Sequence, residues 1–134
     1  FNVYGPRSKA FGAYSAVISI FLKQKFMNKP LSIIGDGSQT RSFVYVTDVV
    51  DAMIKAARSK VKNDIFNVGA KKAVKINKLA KLFGKKKIHI AKRKGDPKYS
   101  SANINKIKKK IMWIPKISIN QGIKILINIT SKTQ

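Results

Sequence analysis

Four side chains in this sequence are equipped to hold a phosphorylated ligand, and they fall in three separate stretches. Arg41 carries a planar guanidinium fork that can give two parallel hydrogen bonds to a diphosphate. It follows Gly35-Asp36-Gly37, a turn that lets backbone come close to a ligand. A surface ion pair is the other use of such a residue. Arg93 and Asp96 are separated only by Lys94-Gly95, which sets a guanidinium beside a carboxylate that accepts hydrogen bonds. Gly95-Asp96-Pro97 is also an ordinary turn sequence. Asn2 lies in an apolar opening run, where its amide can donate to phosphate or cap neighbouring backbone. Asp48 reads as a helix cap before a ligand, and Trp113 with Pro115 as a packing corner.

Other chemistries are excluded by what the 134 residues lack. There is no cysteine, which removes disulfides, thiolate catalysis and cysteine-ligated zinc and fits a reducing cytoplasm. The single histidine, His89, cannot build a metal site alone and reads as a residue on a short strand. No apolar run of about 18 residues is present, and Phe1-Asn2-Val3-Tyr4-Gly5-Pro6 lacks the regions of a signal peptide. A cytoplasmic protein with no membrane partner is expected. The chain opens on a strand-like run ending in a Gly-Pro turn, so Phe1 reads as an internal position of a longer protein. The formal charge of +24 comes from 29 basic residues against five aspartates and no glutamate. A field of that size attracts polyanions. Only four of those basic residues are arginines, the type suited to planar phosphate and base recognition. The scattered lysines, among many Ile and Asn, read as solvated faces with non-specific nucleic-acid affinity at low salt.

These groups need a frame, and the pattern supplies strands alternating with helices, an α/β arrangement. Ser8 to Gly12 reads as loop. Val17, Ile18, Phe21, Leu22 and Phe26 then recur at helical spacing through about Met27. Pro30 ends that helix, and Leu31 to Ile34 reads as a strand. Arg41 to Val46 reads as another, leading into a helix capped by Thr47 or Asp48 and running to about Ser59, with Val49, Val50, Met53, Ile54 and Ala57 as its apolar set. Ile65 to Gly69 suits a buried strand. Asn77 is a plausible cap for a helix bearing Leu79, Leu82 and Phe83, which Gly84 stops. Ile88 to Ala91 is a strand, Arg93 to Pro97 a turn, and Asn103 opens a short basic helix. Ser118 caps a last helix carrying Ile119, Ile123, Leu126 and Ile127, with residues 128–134 a frayed tail.

Taken in order, five stretches resemble the extended short-chain dehydrogenase/reductase family, specifically its NAD-dependent epimerases and dehydratases of nucleotide-linked sugars. They are Phe1 to Arg7, Gly35 to Val50 (Gly-Asp-Gly-Ser-Gln-Thr-Arg-Ser-Phe-Val-Tyr-Val-Thr-Asp-Val-Val), Phe66 to Gly69, Arg93 to Asp96, and Trp113 to Ser118. The second is specific, and the order and spacing of all five make coincidence improbable. The resemblance runs from residue 1 to about residue 127 and covers only the carboxy-terminal, substrate-binding part of the family's length. It implies a fold in which most of the Rossmann-type sheet is missing from this chain. It also implies a nucleotide-sugar site. Asn2, Arg41 and Arg93 would contact phosphate and Asp96 the ribose hydroxyls. Ala16 and Val17 would start a helix near the base, with core packing as their other reading, and Ser32 and Ile34 would pair with the base through main chain. Ser42 stands where the family often has aspartate, which removes a carboxylate that would orient Arg41.

The family binds its dinucleotide at a Gly-rich turn and oxidises the sugar with a tyrosine followed four positions later by a lysine. The implied reaction is transient hydride transfer in a full-length UDP-hexose 4-epimerase, with a UDP- or TDP-sugar as substrate, NAD as cofactor and a homodimer as assembly. In this chain Gly35 and Gly37 are followed by no third glycine at the fingerprint spacing. Tyr4, Tyr14, Tyr45 and Tyr99 are followed at the fourth position by Ser8, Ile18, Val49 and Asn103. No catalytic or metal-binding residue is assigned, no NAD is expected on this chain alone, and it is expected to be inactive by itself: a fragment, a truncated copy or one half of a split enzyme. The strand over Phe66 to Val68 would belong to the cofactor sheet. Its edges would be left open here, with weak stability or dimerisation as the consequence. The alternatives in other classes are a basic polyanion-binding module and an inactive fragment.

Overall fold

The computed structural model describes residues 1–8, 16–84 and 86–132, and most of the loop expected over Ser8 to Gly12 lies outside them. Helix α1 spans Val17–Phe26 and turns Ile18, Ser19 and Phe21 inward, as the apolar spacing predicts. It leads into β2, Leu31–Ile34, numbered after β1 at Val3–Tyr4. Alternation along β2 sends Leu31 and Ile33 into the core and leaves Ser32 and Ile34 half-buried on the other face. Its parallel partner is β6, Lys87–Ile90, in the register Leu31↔Lys87 to Ile34↔Ile90.

The strand expected over Arg41 to Val46 is instead two short ones. Thr40–Arg41 (β3) pairs antiparallel with Val74–Lys75 (β5), and Val44–Tyr45 (β4) pairs parallel with β1. The break falls where the chain passes from one pair to the other. Ser42 is fully buried there, its Oγ donating to the Ala70 carbonyl (3.2 Å) and accepting from the Ala70 N–H (3.0 Å).

Helix α2, Val46–Arg58, starts directly on β4, with Tyr45 at its N-cap and no side-chain cap. Neither Thr47 nor Asp48 caps it. The Asp48 carboxylate accepts from the backbone N–H groups of Lys116 (3.1 Å) and Ile117 (3.0 Å), while its carbonyl accepts from Trp113 Nε1 (3.1 Å). A carboxylate near a helix start suits both roles, and the long-range partners decide between them. The apolar set divides between core and solvent. Asp48 and Ala52 are buried, with Val49 and Ala56 partly so, whereas Val50, Met53, Ile54 and Ala57 face solvent.

Helix α3, Ile76–Lys81, follows β5 with Lys75 at its N-cap, so Asn77 is no cap. Its amide crosses instead to the 35–38 turn, with Nδ2 donating to the Asp36 carbonyl (2.7 Å). Residues 65–69 form no strand. Phe1 N donates to the Val68 carbonyl (3.0 Å), and Ile65 is 84% exposed. A strand needs a neighbouring strand for its ladder, and the described residues offer that segment none. Helix α4, Asn105–Ile111, buries Ile107 and Ile111. Helix α5, Ile119–Ser131, has the expected Ser118 cap, with Gln121 completing a capping box, and it runs on through residues expected to fray.

Two cores result. The first gathers Tyr4, Ile18, Phe21, Ile33, Leu79, Phe83, Ile123 and Leu126 between α1, α3, α5 and the strands, with Phe21 and Phe83 edge to face at 5.8 Å. Gly122 of α5 lies against the Tyr4 ring, and a methyl group there would overlap the Tyr4 hydroxyl. The second lies under α2 and α4, centred on the fully buried Trp113 with Val44, Ala52, Ile104 and Ile107.

Candidate functional site

The turn after β2 is built by short-range chemistry. Gly35 (φ 64°) and Gly37 (φ 71°) are both left-handed, and a Cβ on Gly37 would meet the Asn77 amide at 2.6 Å, so only glycine fits there. Asp36 Oδ1 accepts from Ser38 N (2.9 Å) and Ser38 Oγ (2.7 Å), and these bonds hold the Asp36 carboxyl below the usual carboxylate range. The turn delivers the chain into β3, and so places Arg41.

The Arg41 guanidinium donates through NH1 to the Thr40 carbonyl (2.7 Å) and through NH2 to Asp96 Oδ1, forming an ion pair with that carboxylate. The arginine is thus oriented by Asp96, fifty-five positions along, rather than by a neighbour at position 42. Residues 93–96 make the expected turn, with Asp96 N–H donating to the Arg93 carbonyl (3.4 Å) and Gly95 at φ 81°. That turn is tied to β3 by Thr40 N–H on the Lys98 carbonyl (3.0 Å) and Ser100 N–H on the Thr40 carbonyl (3.1 Å).

Between these elements lies a cavity of about 470 Å³. Asn2, Arg41, Arg93 and Asp96 border it, and so do Ala16 and Val17 from the start of α1 and Ser32 and Ile34 from β2. The structure brings all eight sequence-predicted site residues to one space. Two show additional engagements. Asn2 Nδ2 donates to the Ser42 carbonyl (3.0 Å), the backbone-capping use of that amide, and Ser32 N–H donates to Gln24 Oε1 (3.0 Å). Sequence reasoning missed Lys94, which adds a third cation, the apolar walls Ile20, Ile76 and Ile90, and Gln39. Gln39 lies inside the Gly-Asp-Gly-Ser-Gln-Thr-Arg stretch, but its partner, the Ile34 carbonyl (2.7 Å from Nε2), is a backbone atom that no side-chain pattern reveals.

A smaller cavity, about 320 Å³, adjoins this one. It shares Ile34, Gln39 and Asp96 and is otherwise bordered by Lys92, Lys98 and the 35–38 turn. A third, about 570 Å³ and mainly apolar, lies on the other side of α1 near Leu22, Phe26 and Leu126. Among the described residues no group of three or more His, Cys, Asp or Glu could hold a metal ion, and no helix is long and apolar enough to cross a membrane.

Comparison with known proteins identifies the family and the fold. Residues 1–69 match the model of the NAD dependent epimerase/dehydratase family. The chain is 33% identical over 136 residues to a UDP-N-acetyl-alpha-D-glucosaminuronate decarboxylase of Bacillus cytotoxicus, covering 92% of this chain and 42% of that protein. It is 36% identical over 135 residues to a UDP-glucuronate 4-epimerase of Thermodesulfobacterium geofontis, covering 96% and 40%. Its fold superposes on the crystal structure of UDP-glucose 4-epimerase with UDP-glucose from Thermotoga maritima with a TM-score of 0.91 at 35% identity, over 98% of this chain and 44% of that one. The chain spans about two fifths of the length of these curated relatives. With its α/β fold matching extended short-chain dehydrogenase epimerases over that portion, the chain belongs to the NAD-dependent epimerase/dehydratase family.

Proposed function

We propose that the 470 Å³ cavity binds the nucleoside diphosphate of a UDP- or TDP-linked sugar, and that the chain is the substrate-binding part of a UDP-hexose 4-epimerase. The observation that carries this reading is convergence: three cations and one carboxylate, drawn from β3 and the 93–96 turn, border one space with an apolar wall. Arg41, already aimed by Asp96 and the Thr40 carbonyl, offers a preorganised donor to the diphosphate. Arg93 and Asn2 supply further donors. Asp96 accepts from the ribose diol, and Ser32 and Ile34 present backbone groups of β2 to the base. The relatives' printed substrates, a UDP-glucosaminuronate, a UDP-glucuronate and UDP-glucose, support the uridine diphosphate class.

NAD is the family's cofactor, and in the complete reaction it supplies transient hydride transfer at the sugar. The residues of this chain do not fit it: the Gly-Pro turn after β1 is no glycine fingerprint, and no tyrosine has a lysine four positions on. What this chain contributes is binding and orientation. Titration calorimetry with UDP, TDP and a short oligonucleotide at two salt concentrations tests the reading. Saturable UDP or TDP binding, weakened about tenfold or more in Arg41→Ala and Arg93→Ala, is expected for lost charge-assisted bonds. Oligonucleotide binding that falls steeply with salt and ignores Arg41, with no nucleotide binding, would sink it.

A further inference from the structure

The two adjoining cavities meet along a shared boundary. Gln39 stands at it with Ile34 and Asp96. Its side chain spans the gap to β2, because Nε2 donates to the Ile34 carbonyl (2.7 Å). Its backbone is fixed as well: the Gln39 carbonyl accepts from Ile76 N–H (3.0 Å), and the next residue, Thr40, is bound on both sides by Lys98 and Ser100. A second glutamine holds the other end of the same strand edge. Gln24 Oε1 accepts from Ser32 N–H (3.0 Å), and its Nε2 donates to Ser32 Oγ (2.7 Å). Leu31 and Gly35 direct their N–H groups to the β6 side, onto the carbonyls of Lys86 and Ile90, so Ser32 and Ile34 direct theirs away from it. The cavity-facing edge of β2 is thus bracketed by two carboxamides, one of them lining both cavities.

We infer that Gln39 sets the size of the nucleobase the cavity accepts, admitting a single-ring base and excluding a two-ring one. This rests on the nucleotide-diphosphate reading above and adds to it a specificity-determining residue. A flat six-membered ring laid against the β2 edge ends at the Gln39 carboxamide. The second ring of a purine would have to pass it into the 320 Å³ space behind. To let it by, Gln39 must leave the Ile34 carbonyl, which then either finds a ligand donor or goes without its partner. Shortening the side chain removes the partition and joins the two spaces, and the excluded ring gains room.

The experiment is a binding matrix with the full chain: UDP, ADP and GDP against the unmodified protein, Gln39→Ala, Gln39→Asn and Arg41→Ala. The unmodified chain should prefer UDP. In Gln39→Ala the preference over ADP and GDP should narrow about tenfold, chiefly by a gain in purine binding, the scale on which pocket shape discriminates. Gln39→Asn, whose amide is too short to span the gap, should fall between. A gain of purine affinity is the readout that a merely structural role would not produce. An unchanged UDP-to-purine ratio in both variants, or an equal loss of all three nucleotides, overturns the inference. The two readings fail separately: UDP binding lost in Arg41→Ala with the ratio unmoved by Gln39 defeats this one alone, and no UDP binding by the unmodified chain defeats both.

Discussion

The cavity and the outer flank of α2 are treated differently by the same chain. Around the cavity, polar edges are closed by partners. Gln24 and Gln39 hold the β2 edge, Asp96 holds Arg41, and Asn77 holds the 35–38 turn. On the flank, Val50, Met53, Ile54 and Ala57 form a stripe at helical spacing that faces solvent, with Met53 65% exposed, and the nearly bare Ile65 lies in a segment without a ladder. An apolar stripe at i, i+3, i+4 and i+7 is the pattern of a face that packs against something. The polar groups that shape the site find partners across the fold, while the apolar stripe is left facing solvent.

The inner face of α2 gives the strongest test of this contrast. Trp113→Ala removes the centre of the second core and the bond to the Asp48 carbonyl. It should lower the unfolding free energy by about 3–5 kcal/mol in denaturant titrations. A loss under about 1 kcal/mol would mean that the inner face is no better packed than the outer one.

An intermediate effect is expected at Tyr4, whose hydroxyl is buried with no hydrogen-bond partner among the described residues. Burial raises its pKa above the ordinary value, with the nearby Tyr45 and Asp48 adding to the shift. A raised folded-state pKa means that the unfolded chain loses its proton first. The stability Tyr4 contributes is present below about pH 10 and falls above it, by about 1.4 kcal/mol per pH unit. Tyr4→Phe should therefore be neutral to about 1 kcal/mol more stable at pH 7 and lose less stability than the parent above about pH 10. Parallel alkaline unfolding curves for the two proteins would contradict this.

The smallest effect on stability belongs to the outer stripe. Met53→Lys should change the unfolding free energy by less than about 0.5 kcal/mol. It should nevertheless reduce concentration-dependent self-association in sedimentation velocity, since it interrupts the exposed apolar face. A cooperative, strictly monomeric parent would break the comparison from this side.

How much was legible follows from the range of each interaction. The α/β order and the gathering of the eight candidate residues around one cavity could be read because they rest on short motifs whose residue types are tied to local turns and charge chemistry. Asp48 was misread because a carboxylate at a helix start is equally suited to capping and to the N–H groups of Lys116 and Ile117, which lie far along the chain. The Arg41 to Val46 run is strand-like throughout, yet it divides where its partners change, and those partners lie at Val74–Lys75 and Val3–Tyr4. Residues 65–69 carry strand propensity without a ladder to join. The spacing of Val50, Met53, Ile54 and Ala57 identifies the apolar stripe on α2 but not its exposure, because periodicity marks an apolar face and not what covers it.

The register of the parallel pairs bears on how the molecule is made. Leu31 meets Lys87, Val3 meets Val44, and Asp48 is completed by Lys116 and Ile117. On a ribosome adding about 5–20 residues each second, strand β2 emerges long before β6, and loop closure must precede any reward from pairing. The strand that borders the cavity stays unpaired until Ile90 has been synthesised, so the pocket cannot close until translation has passed β6.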